Sequence, residues 1–134
     1  MTPLSSNVIP SNQAETLLKE ISTWQWVTTI IIHTACIFEF KGPFPKGTNS
    51  EGFYNLEGEL PGFHGHLNLN NIGHISFQDK LHRGQESYAF VFETKENELM
   101  FKIFLGRDDK DQLIAEQVVR FKQLQQQYSG LENE

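Results

Sequence analysis

The chain has 134 residues, carries 11 Lys and Arg against 17 Asp and Glu for a formal charge of −6, and is 38% hydrophobic and 12% aromatic. That suits one domain with one buried core and excludes disorder over most of the length. The acidic balance, with no basic run longer than a pair, speaks against a nucleic-acid partner, whose phosphates would demand Lys and Arg. No apolar run approaches the roughly 18 residues of a membrane-spanning helix, so no membrane partner is expected. The first Lys is Lys19, so no basic segment precedes an apolar stretch at the start, and the single Cys cannot form an internal disulfide. A cytoplasmic location is the expectation.

Residues 1–10, with Pro3, Pro10 and Ser5-Ser6-Asn7, lack either structural period and read as a tail, leaving 11–134 as the single domain. Asn12 followed by Glu15 resembles a capping box, and Leu17, Leu18, Ile21 and Trp24 recur at helical spacing, which predicts a helix over 12–24. β-branched and aromatic residues then predict strands over 27–33 and 36–40, joined or continuous through Thr34-Ala35. A loop rich in Gly, Pro and Ser runs over 41–50. Short strands follow over 53–56, 65–69, 74–78, 87–93 and 99–105. In the last of these Leu99, Phe101, Ile103 and Leu105 share one face, opposite Met100, Lys102 and Phe104. Asp108 or Asp109 is a candidate cap for a final helix carrying Leu113, Ile114, Val118, Phe121, Leu124 and Tyr128. The fold class is α+β: a broad antiparallel β-sheet flanked by N- and C-terminal helices.

Catalytic templates are absent: there is no Gly-rich phosphate loop, Gly-x-Ser-x-Gly, Cys-x-x-Cys or His-Glu-x-x-His. Cys36 lies within a strand pattern and reads as a small buried hydrophobe. His64 and His66 place two imidazoles on one strand face, about 6.5 Å apart along the chain, but no third metal ligand stands at a suggestive spacing. His66 shares its face with Asn68 and Asn70, away from Leu67 and Leu69. His33 lies on the face of Val27, Thr29 and Ile31, so its imidazole is either hydrogen-bonded in the core or a ligand at the edge of an apolar cavity. His74, near a strand start, and His82, in the turn Lys80 to Gly84, carry no signal beyond structure.

Four phrases in order, Trp24 to Ala35, Gly52-Phe53-Tyr54-Asn55-Leu56 with Gly58, Gly65-His66 with His74-Ile75, and Phe101 to Asp109, resemble the ChuX/HutX family of intracellular haem-utilisation carriers across residues 16–124. The resemblance implies the heme-utilisation (HemS/ChuX-like) fold, a homodimer, and a non-enzymatic protein that binds haem (heme) in the cytoplasm and passes it to a downstream haem-processing enzyme. The proposed axial ligands of the family fall on His33 and His66. An imidazole lone pair for iron beside a broad apolar surface is what such a cargo requires. Arg107 is either a propionate partner or a structural ion-pair partner.

Three departures accompany the resemblance, the first being His64 beside the matched His66, an extra residue that offers a substitute ligand on the same face. Relatives have a His-rich stretch before the Gly-Phe-Tyr-Asn-Leu phrase, where this chain reads Pro45 to Glu51 with no His. They also carry an additional N-terminal helical segment, for which the residues before the first matched helix leave no room, so contacts made through it are not expected. Two other readings stay open: an enzyme that opens the haem ring, and a dimeric regulatory domain without a haem site.

Overall fold

The structure, a computed structural model, describes residues 7–58 and 62–129. Helix α1, Ala14–Ile21, buries Ala14, Leu17, Leu18 and Ile21, the spacing of one helical face. It is shorter than the expected 12–24 at both ends. Ser11–Gln13 form a 3-10 turn ahead of it. At its end the Ser22 and Thr23 hydroxyls donate to the Lys19 and Glu20 carbonyls at 2.7 and 2.6 Å, competing with a further helical turn. The capping box does not form. The N-cap, Gln13, makes no side-chain cap bond, and Glu15 instead accepts from Asn49 at 3.1 Å and pairs with Lys19.

The described residues form nine strands, in chain order β1 Val8–Pro10 ahead of α1, then β2 Val27–His33, β3 Cys36–Gly42, β4 Gly47–Ser50, β5 Phe53–Leu56, β6 Gly65–Leu67, β7 Ile72–His82, β8 Gln85–Thr94 and β9 Leu99–Leu105. Six of them form an antiparallel sheet in the order β1-β7-β8-β9-β2-β3, and the other three form a small sheet in the order β4-β5-β6. The expected tail over 1–10 is therefore corrected from residue 8 onward. Val8–Pro10 pair with His74–Ser76 and Ile9 is buried, a three-residue edge strand too short to show a period; residues 1–6 lie outside the described residues. The expected loop over 41–50 contains the end of β3 and all of β4. Thr34-Ala35 is a tight hairpin turn, with Thr34 at φ 55° and His33 opposite Cys36. The β7–β8 hairpin likewise turns on Arg83 and Gly84, both at positive φ.

One face of the large sheet holds the core. Helix α2, Ala115–Gln127, lays Phe121 among Phe77, Tyr88 and Phe90 with ring centroids 5.4, 5.3 and 5.0 Å away, and Phe92 stacks on Phe101 at 4.5 Å. The alternation expected of 99–105 holds: Phe101, Ile103 and Leu105 are buried, while Met100, Lys102 and Phe104 are half-buried on the other face. Asp108 does not cap α2, whose N-cap is Ile114. Its Oδ1 accepts instead from the Lys110 and Gln112 amides at 2.9 and 3.0 Å, closing a turn before the helix.

The buried Gln117 clips α2 to the end of the sheet. Its Nε2 donates to the Trp26 carbonyl and its Oε1 accepts from the Gly106 amide, each at 2.7 Å. A side chain at Gly106 would collide with that same Trp26 carbonyl, which explains the glycine. Gln117→Leu leaves a buried donor and a buried acceptor unpaired and is expected to destabilise by about 2–4 kcal/mol. Urea unfolding should show a lower midpoint at unchanged slope.

Asn49 and then Lys19, by hydrogen bonding to it, hold the Glu15 carboxyl below the ordinary carboxylate range and tie α1 to the small sheet. A depressed folded value means that this tether contributes above the unfolded carboxylate value and is lost as the pH falls through the folded one. Glu15→Gln should therefore flatten the acid limb of a stability–pH curve measured downward from about pH 5.

Candidate functional site

His66 sits in the middle of β6, directly across the antiparallel pair from Asn55 in β5. The neighbouring pair, Tyr54 and Leu67, faces the other way, and there Tyr54 is fully buried in the core. Strand alternation therefore turns His66 and Asn55 outward, and His66 is exposed. Its Nδ1 lies 2.6 Å from Asn55 Oδ1, and its ring stands roughly perpendicular to that of Phe53, at 77° with the centroids 6.4 Å apart. Phe53 is 42% exposed, so the imidazole stands beside an accessible aromatic surface.

The strand does not continue to 69 as expected. It ends at Leu67, and Leu69–Asn71 form a 3-10 turn whose N-cap, Asn68, accepts from the Asn70 amide. His66 is the only part of the expected His66, Asn68 and Asn70 face that lies in a strand. His64 precedes β6 and is exposed, so the two imidazoles do not share a regular strand face. Among the described residues no group of three or more His, Cys, Asp and Glu is placed to hold a metal ion.

His33 ends β2 and is exposed, which excludes the reading of a hydrogen-bonded core histidine. It keeps the face of Val27 and Thr29, but the β2–β3 hairpin runs past the core, and exposure rises along it from Val27 to His33. Cys36, directly opposite, is also exposed, so the expectation of a buried Cys is corrected for the same reason. Phe38, on the same face, is 56% exposed. Among the described residues no hydrogen bond or ring contact joins His33 to His66, which lie on different sheets. Between the two sheets, Phe40 of β3 stacks on Phe63, just before β6, with ring centroids 4.6 Å apart.

The remaining residues of interest are structural. His74 Nε2 lies 2.6 Å from Glu93 Oε1 across the β7–β8 pair. Arg107 donates to the Glu86 and Asp111 carbonyls at 2.8 and 3.0 Å, so its guanidinium braces a turn through backbone oxygens rather than through an ion pair. Sequence reasoning missed Asn55, although the phrase Phe53-Tyr54-Asn55 contained it, because only the β5–β6 register sets it against His66. It also missed a cleft of about 650 Å³ on the helix-free face of the large sheet, lined by Ile30, Ile32, Ile37 and Phe104 with Lys80 and Lys102. Those residues come from four strands, at positions whose alternation was legible only within each strand.

A broad antiparallel sheet with helices against one face, and an outward imidazole held through one ring nitrogen, defines an α+β protein equipped to offer a surface nitrogen ligand. The chain belongs to the ChuX/HutX family of haem utilisation, whose profile matches residues 7–124. It is 48% identical over 121 residues to the intracellular heme transport protein HutX of Vibrio cholerae serotype O1, a match covering 90% of this chain and 63% of that relative's length. The solved structure of the heme binding protein ChuX superposes with a TM-score of 0.81 at 36% identity, covering 92% of this chain and 77% of that one. Escherichia coli ChuS, described as a heme oxygenase, matches at a TM-score of 0.74 but 15% identity, covering 87% of this chain and 36% of its own. That likeness extends to the fold alone.

Both histidines are exposed at strand positions whose backbone pairing does not depend on the ring. His33→Ala and His66→Ala are expected to change unfolding free energy by no more than about 1 kcal/mol.

Proposed function

We propose that this chain binds haem as cargo, through His66 and with His33 as second iron ligand, and carries it in the cytoplasm to a haem-processing partner without transforming it. The observation that carries this reading is the His66 ring, exposed beside Phe53 and hydrogen-bonded through Nδ1, which leaves Nε2 as the nitrogen for iron. HutX and ChuX, by their names a heme transport and a heme binding protein, support the choice of cargo. An exposed ligand suits a protein that must also release what it binds.

The acidic charge of −6 is consistent with a carrier that makes no use of nucleic acid. No helix among the described residues is long and apolar enough to cross a membrane. A homodimer is part of the reading. Ile32 and Ile37, 38% and 64% exposed beside each other on the β2–β3 hairpin, together with the uncovered edge of β3, give it an apolar surface and a strand edge to cover.

Titration with haemin tests the cargo. The expected result is a shifted Soret band saturating at one haem per chain, with affinity falling at least about tenfold, or 1.4 kcal/mol, in His66→Ala and further in the double variant with His33→Ala. An unchanged spectrum, or full affinity in the double variant, would overturn the reading. Incubation of the complex with reductant and oxygen should leave the porphyrin intact; a defined bilin product would instead make the protein an enzyme.

A further inference from the structure

We infer that Asn55 is a positioning residue for iron, locking His66 in the tautomer that carries its proton on Nδ1 and its lone pair on Nε2. The inference rests on the haem-binding reading above and extends it to a residue that does not touch the ligand.

Asn55 Nδ2 lies 3.3 Å from the Thr48 carbonyl, 3.4 Å from that of Ser50 and 3.3 Å from that of Phe53. Carbonyl oxygens only accept, so the amide NH2 must occupy that end of the side chain. Rotating the amide by a half-turn would set its oxygen against three carbonyl oxygens. The end that faces His66 is therefore Oδ1, an acceptor, and the 2.6 Å contact requires His66 Nδ1 to donate. A neutral imidazole has one N–H, so Nε2 is left unprotonated.

The lock has consequences for coordination. Neutral histidine in water favours the proton on Nε2, which would have to be lost or moved before iron could bind there. Asn55 removes that step by holding the proton on the other nitrogen. Accepting from the ring N–H also fixes the ring plane, with the Phe53 ring, its centroid 6.4 Å away, as a second restraint, and strengthens the nitrogen opposite as a donor. The anchor of this arrangement is the β4–β5 hairpin, since the carbonyls that orient the amide belong to it.

Long-range nitrogen–proton correlation spectra of 15N-histidine-labelled apo-protein, recorded where the ring is neutral, read the tautomer directly. Wild type should show a protonated Nδ1 and a bare Nε2 for His66, and Asn55→Leu should revert to the Nε2–H form. Asn55→Asp, which loses the carbonyl contacts but keeps an oxygen opposite Nδ1, should retain the wild-type tautomer. A role confined to bracing the hairpin would make it behave like Asn55→Leu. Haemin affinity should fall about tenfold in Asn55→Leu, and the midpoint potential of bound haem should drop in Asn55→Asp as the ring gains anionic character. An Nε2–H ring in wild type, or full haemin affinity in Asn55→Leu despite the altered tautomer, would overturn the inference. Full affinity in the His66→Ala variant would remove the haem-ligand reading and with it the role towards iron, while the tautomer result would stand on its own.

Discussion

The site turns on a single acceptor atom. Asn55 can accept hydrogen bonds only at Oδ1, and its amide nitrogen is already directed at three carbonyl oxygens of the β4–β5 hairpin. Register then does the rest: Asn55 opposes His66, and their neighbours Tyr54 and Leu67 turn to the other side, where Tyr54 is sealed in the core. Slipping β6 by one residue would carry His66 to the core side and separate it from Asn55. The burial of Tyr54 thus sets the orientation of the imidazole on the opposite face. Gly47 belongs to the same device, because a side chain there would press to within 2.6 Å of the Tyr54 ring.

The large sheet gives this small one its footing. Aromatic contacts among Phe77, Phe90, Phe92, Phe101 and Phe121 fill the space beneath the helices, and Gln117 ties the second helix to the ends of two strands. Core material is concentrated near the middle of the sheet, so the β2–β3 hairpin projects beyond it. That is why His33, Cys36 and Phe38 are exposed although their sequence reads as a strongly apolar strand pair. Under the proposed function, exposed apolar surface beside an exposed imidazole would suit a flat, greasy guest that must be both held and surrendered.

Much of this was legible in the residues themselves. The i, i+3, i+4, i+7 spacing of Ala14, Leu17, Leu18 and Ile21 encodes the first helix, and the alternation in 99–105 encodes both faces of β9. The helix ends were not legible, because hydroxyl side chains of Ser22 and Thr23 compete for the last carbonyls without altering the apolar period. β1 was missed because three residues ending in Pro10 show no alternation, yet pairing with β7 buries Ile9. Within the site, His66 was found through the family phrase, and its outward direction followed from alternation. Asn55 was not found, since a partner across two strands is a fact of register. The exposure of Cys36 escaped for a related reason: local pattern reports which face a residue takes, not how far the core extends beneath it.

A crystal structure of the haemin complex would test the central claim most directly. Iron is expected to be bonded to Nε2 of His66, with the Asn55 contact to Nδ1 intact and the porphyrin lying against Phe53. Iron bonded to His74, His82 or Cys36 instead, or to His66 through Nδ1 with the Asn55 contact broken, would contradict it.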